Sequence, residues 1–180
     1  MRGKGRLACF FREKKNRERL WLYGLFAVYV LLLIWVVIFK TRFELPRVRE
    51  QREMNLIPFY YGGTGLNGAT AYEAIANVFV FLPLGVYLCL MNIKKWLIPL
   101  MGLSASLCFE MIQFAFAIGV CDVTDLFNNT VGTALGLVIC AVLYRICRDK
   151  RRLEKIIMIA ATALTAAAMI VFFLLMIIQL

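Results

Sequence analysis

Histidine is absent from this sequence. Without an imidazole there is no Ser/His/Asp or Cys/His nucleophile and no histidine-ligated metal site, so any chemistry must use carboxylates, amides, hydroxyls or thiols. Acidic residues are also scarce, 11 against 21 Lys and Arg, for a formal net charge of +10. The six cysteines, Cys9, Cys89, Cys108, Cys121, Cys140 and Cys147, include no C-x-x-C pair. Four of them lie in or at the ends of apolar runs, where packing is the expected role and no disulfide framework is implied. The glycine-rich stretch Gly62 to Gly68 lacks the Lys-Ser/Thr ending of a phosphate-binding loop, so it reads as a flexible connection.

What the chain has in excess is apolar sequence. Hydrophobic residues make up 62% of its 180 positions and the mean hydropathy is +0.78. That is too apolar for an ordinary soluble domain, and the expected class is all-α, a polytopic helical membrane protein. The basic residues mostly flank apolar runs, where membrane topology and anionic lipid account for them. A nucleic-acid partner is not expected.

Met1 to Arg19 forms a basic segment. The apolar run that follows, Leu20 to Phe39, exceeds the ~7–15 residues of a signal-peptide core and has no small-residue cleavage site, so it should stay attached as the first span. Residues 40–73 form the longest polar loop. Within it Arg49 and Glu53 stand at i,i+4, which suits a short surface helix, and Asn55 to Tyr61 turns around Pro58 with aromatics suited to headgroup depth. Further spans are expected over Ala74 to Met91, Trp96 to near Val120, Leu126 to Tyr144 and Ile156 to Leu180, about five in all. Residues 20–180 then make one transmembrane domain. Pro83 should leave the Phe79 carbonyl unsatisfied; a polar pocket at that bend and a simple tolerated kink both remain open.

Sixteen of the 21 Lys and Arg fall in the amino-terminal segment, the 92–95 turn and the 145–155 loop, and the other five lie in 40–73. The side with sixteen should be cytoplasmic, with the amino terminus inside, the carboxyl terminus outside and 40–73 extracytoplasmic.

Against this apolar background the polar residues stand out. In the third span Gly102, Ser106, Glu110 and Gln113 recur at steps of four, four and three, so one helical face carries small and polar groups and cannot face lipid. An ionisable side chain at the centre of a membrane helix costs ~2.5–3.5 kcal/mol or more, so Glu110 needs a partner or a purpose. Asn77 of the second span, Asp122 and Asp125 of the following turn, and Asn129 at the head of the fourth span are the candidates. At 1.5 Å per residue Glu110 lies roughly 21 Å from the cytoplasmic end of its helix, in the outer third of a core about 30 Å thick. Asp125 also suits a helix first turn, where the dipole favours an acid. Gly132-x-x-x-Gly136 permits close helix approach, within the chain or between copies.

Two accounts of the cluster remain open. It can simply glue helices together, since buried polar groups are normally paired. Alternatively Asn77, Glu110, Gln113, Asp122, Asp125 and Asn129 bind the polar headgroup or sugar of a lipid-linked ligand. Glu110, Asp122 and Asp125 match no recognised ligand spacing, so neither a metal nor another cofactor is expected.

The motifs Asn55-Leu56-Ile57-Pro58-Phe59, Asn77-x-x-x-x-x-Pro83-Leu84-Gly85, Glu110-x-x-Gln113 and Asp122-Val123-Thr124-Asp125-Leu126-x-x-Asn129-Thr130-Val131-Gly132 together resemble the VanZ-like family of bacterial membrane proteins. The resemblance spans a core of about 55–136 and leaves the first and last spans unmatched. Many members of that family carry an arginine near the positions of Gly119 and Val120, where this chain has none. The resemblance implies a bacterial plasma-membrane protein that contributes to teicoplanin resistance, with a membrane lipid, a lipid-linked molecule or a lipoglycopeptide as ligand. It supplies no reaction. On the residues alone an accessory ligand-binding protein, an intramembrane enzyme with Glu110 as acid or base, and a small exporter all remain open; burial would raise the Glu110 pKa toward neutrality, which suits the second.

Overall fold

A computed structural model of the chain describes residues 2–39, 53–59, 68–118, 120–147 and 149–179. The expected surface helix and flexible glycine connection lie largely outside those residues; at their edges Glu53 starts a strand and Gly68 starts a helix. In chain order the elements are α1 (Arg2–Phe39), β1 (Glu53–Asn55), α2 (Gly68–Leu90), α3 (Leu97–Ala115), β2 (Val120–Asp122), α4 (Val123–Ile146) and α5 (Lys150–Gln179). The chain is therefore an all-α membrane protein, with one short parallel strand pair among the described residues. Among the described residues four helical stretches are long and apolar enough to cross a bilayer: Asn16–Ile38, Ala71–Leu90, Leu97–Ala115 and Val123–Ile146. The fifth expected span, Ile156 to Leu180, falls largely on α5, a 30-residue helix that is not among those four.

Two compact units make up the chain. In the first, Met1–Leu32 with Lys155–Leu180, the Trp21 indole Nε1 donates to Thr162 Oγ1 at 3.3 Å, and Leu22 and Leu25 are buried. The second, Leu33–Glu154, holds α2, α3 and α4.

Glycine sets the distance between α2 and α4. A Cβ on Gly132 would overlap the Val78 carbonyl oxygen, one on Gly136 the Leu82 carbonyl oxygen, and one on Gly85 the Thr133 carbonyl oxygen. Backbones this close replace side-chain interdigitation with direct van der Waals contact, the usual means of helix association in lipid. Gly132-x-x-x-Gly136 thus packs α4 on α2 of the same chain. Because Val78 meets Gly132 and Leu82 meets Gly136, the two helices run parallel. Helix α3 runs antiparallel to α4, since Gly102 meets Thr133 and Ser106 meets Asn129.

The α3 face read from the sequence is the buried one: Gly102, Ser106, Glu110 and Gln113 are buried, while Met101, Leu103, Leu107 and Met111 are exposed. Phe109, on the same side, meets Phe81 edge to face at 6.2 Å. Pro83 does not interrupt α2, and the polar residue of that helix that joins the cluster, Asn77, lies nearly two turns before it.

One boundary differs from expectation. Helix α3 stops at Ala115 and does not reach Val120. The Ile118 amide reaches back to the Gln113 carbonyl and the Ala117 amide to that of Phe114, the paired bonds of a Schellman cap, with Ala117 at a left-handed φ of 53°. An apolar run specifies burial in lipid but not where a helix ends, and this signal is missing when the cap residue is alanine in place of glycine. The end of α2 uses the same cap with Asn92, at φ 61°, in the left-handed position.

Candidate functional site

The cap on α3 leads directly into β2, and β2 is where the distant polar loop returns. Strand β1 pairs with it in parallel, Asn55 opposite Asp122 and Met54 opposite Cys121. Asp122 then serves as the N-cap of α4, its Oδ1 accepting from the Thr124 amide at 2.7 Å. Its other carboxylate oxygen accepts from Asn55 Nδ2 at 3.1 Å. Thr124 Oγ1 accepts the Phe59 amide at 3.0 Å, holding Phe59 at a φ of 59°, and Asn55 Oδ1 accepts the Ile57 amide. By these bonds residues 53–59 are strapped across the start of α4.

Glu110 sits beneath the strap. Only 4% exposed, its carboxylate accepts the Asp122 amide at 2.9 Å and a hydrogen bond from the Cys121 thiol. Burial pushes the Cys121 thiol pKa up, and the adjacent Glu110 and Asp122 charges push it the same way, since a thiolate there would meet two carboxylates. Beside this, Asn77 Nδ2 donates to Asp125 Oδ1 at 2.6 Å, bridging α2 to the first turn of α4.

The six residues expected from the sequence divide by depth. Asn77, Asp122 and Asp125 are half-buried at the head of α4, while Glu110, Gln113 and Asn129 are buried. Gln113 turns toward the last turn of α1, where its Nε2 donates to the Val37 carbonyl at 3.1 Å. That hydrogen bond therefore goes to α1 and not to the other five. Asn129 lies one turn deeper than Asp125 and donates to Ser106 Oγ at 2.8 Å. Asn128 Nδ2 and Asn129 Oδ1, a donor and an acceptor on adjacent residues, are buried without a protein partner. Among the described residues no three His, Cys, Asp or Glu side chains come together in a way that would hold a metal ion.

Sequence reasoning did not assign site roles to Asn55, Ser106, Thr124 or Asn128. Asn55 is brought in by a parallel pairing between two three-residue strands, too short for any periodic signal. Ser106 carried one, since it falls four residues before Glu110 on the same face. Around the strap the surface is apolar: Leu56, Ile57, Phe59 and Phe127 are all exposed, with Phe59 and Phe127 edge to face at 5.5 Å. The head of α4 thus carries the half-buried Asn77–Asp125 and Asn55–Asp122 pairs close to exposed Phe59 and Phe127.

The family model for VanZ/LLP1 matches residues 26–147, which include every residue of this cluster. Over 118 residues the chain is 42% identical to an Enterococcus faecium protein named Protein VanZ, an alignment covering 63% of this chain and 70% of that one. No solved structure matches it.

Proposed function

This chain belongs to the VanZ/LLP1 family, and from that premise we propose that it recognises an amphiphilic ligand at the outer leaflet of the bacterial plasma membrane and thereby contributes to teicoplanin resistance. The Lys and Arg distribution supports an orientation with the amino terminus cytoplasmic, five spans including α5, and the carboxyl terminus outside. In that orientation α2 and α4 run inward, and the heads of both face the outer surface with the strap above them. A lipid-linked sugar or a lipoglycopeptide presents a polar head beside an acyl chain. The polar groups of Asn55, Asn77, Asp122 and Asp125 beside exposed Leu56, Ile57, Phe59 and Phe127 offer matching chemistry.

The observation that carries this reading is the Asn77–Asp125 pair, half-buried at the edge of the apolar rim. Glu110 and Asn129 hold that edge in place from below, through the Asp122 amide and through Ser106. Helix association alone gives no reason to keep two unpartnered buried amide atoms, each costing ~1–3 kcal/mol. In this reading the Glu110 carboxylate, which accepts the Asp122 amide, positions the head of α4.

The test is teicoplanin susceptibility in cells expressing wild type or Asp125→Asn, with membrane abundance measured in parallel. We expect protection by wild type and its loss in the variant at equal abundance. Protection that survives the substitution would contradict the proposed site.

A further inference from the structure

Far from the polar cluster, at the other end of the α2–α4 seam, two thiols meet. Gly85 and Gly136 are where the backbones of α2 and α4 come into contact, and Cys89 and Cys140 lie four residues beyond each. Residues four apart share a helix face, and the helices are parallel, so the face that carries the glycine contact carries both sulfurs on the next turn. The two thiols are thereby neighbours across the seam, Cys140 fully buried and Cys89 half-buried. The Lys95 charge, from the turn after α2, acts on both sulfurs. A disulfide needs Cα atoms about 4.4–6.8 Å apart, a separation open to residues on the facing sides of two closely packed helices.

We propose that Cys89 and Cys140 are a redox-active dithiol that closes to a disulfide on reaction with a hydroperoxide, tying α2 to α4. The accessible Cys89 sulfur attacks the O–O bond, giving a sulfenic acid at Cys89 and releasing the alcohol. The Cys140 sulfur then attacks Cys89, the S–O bond breaks and water leaves. Two thiols lose two electrons and two protons, and the hydroperoxide is reduced to alcohol and water. Cys108, exposed on α3, and Cys121, bonded to Glu110, have no such neighbour in this arrangement and act as internal controls.

The experiment uses the full chain in membranes treated with tert-butyl hydroperoxide, followed by maleimide blocking, digestion and mass spectrometry of linked peptides. The expected result is a Cys89–Cys140 linked peptide, a fall of two in the count of maleimide-reactive thiols, and full recovery with dithiothreitol. In Cys89→Ser the linked peptide and the paired loss should both disappear. Oxidation of Cys108 without any 89–140 link in wild type would overturn the proposal. So would a link that joins isotope-labelled to unlabelled chains when the two are co-expressed. Because the wild-type peptide map is decisive by itself, the test stands even if a variant folds poorly.

Discussion

Helix α4 is packed on two sides by opposite means. Toward α2 it presents Gly132 and Gly136, and backbone lies against backbone; toward α3 it presents Asn129 and Thr133, and polar side chains fill the interface. The first seam has no slack, because the atoms that would be displaced are carbonyl oxygens. The second has chemistry, because Ser106, Glu110 and Asn129 must each be satisfied inside an apolar helix bundle. The glycine seam sets how closely α2 and α4 approach, and the polar seam joins α4 to α3 through Asn129 and Ser106.

The largest effect should come from breaking the first seam. Gly136→Val places a branched side chain on the Leu82 carbonyl, where no rotamer change can relieve the clash, and should cost at least the ~1–3 kcal/mol of an overpacked core. We expect membrane abundance to collapse, read by blotting, with resistance lost in proportion.

The second seam should respond more selectively. Glu110→Ala leaves the Asp122 amide without its acceptor inside the protein, a loss of ~1–3 kcal/mol, whereas Glu110→Gln keeps an acceptor oxygen there and removes only charge. Thermal stability of purified protein should therefore fall markedly for the alanine and much less for the glutamine. Equal losses would mean that charge, and not the hydrogen bond to β2, is what Glu110 supplies.

A smaller effect concerns Cys121. Its raised pKa means less thiolate at a given pH, so maleimide alkylation near pH 8 should lag behind that of free cysteine in solution and catch up only as pH rises. Glu110→Gln, by removing a neighbouring negative charge, should speed it. The smallest effect is at the end of α3. Ala117→Gly relieves a left-handed conformation that alanine tolerates poorly and should stabilise by roughly 0.5–1 kcal/mol without changing resistance.

The sequence made the buried face of α3 legible because Gly102, Ser106, Glu110 and Gln113 repeat at helical steps within an apolar run. It also made the close approach of α4 legible, though not its partner: Gly132-x-x-x-Gly136 reads the same whether it faces α2 or a second copy. Gly85 on α2 settles the matter only when the two helices are seen side by side. The end of α3 and the strap were not legible. Ala117 carries no capping signal, and the pairing of Asn55 with Asp122 joins residues 67 positions apart through strands of three. Asn77 and Asp125 were expected in one neighbourhood and are hydrogen-bonded, while the Gln113 amide donates to the Val37 carbonyl of α1.

The claim that the head of α4 is a site for ligand, built upon these two seams and separable from them, is tested most directly at Asp125. Teicoplanin susceptibility should be measured for wild type, Asp125→Asn and Gly136→Val, each normalised to membrane abundance. The account predicts that Asp125→Asn is as abundant as wild type yet loses protection, while Gly136→Val loses both together. If Asp125→Asn lost abundance and protection in step, the polar cluster would be helix glue, and the proposed outer-leaflet site would be contradicted.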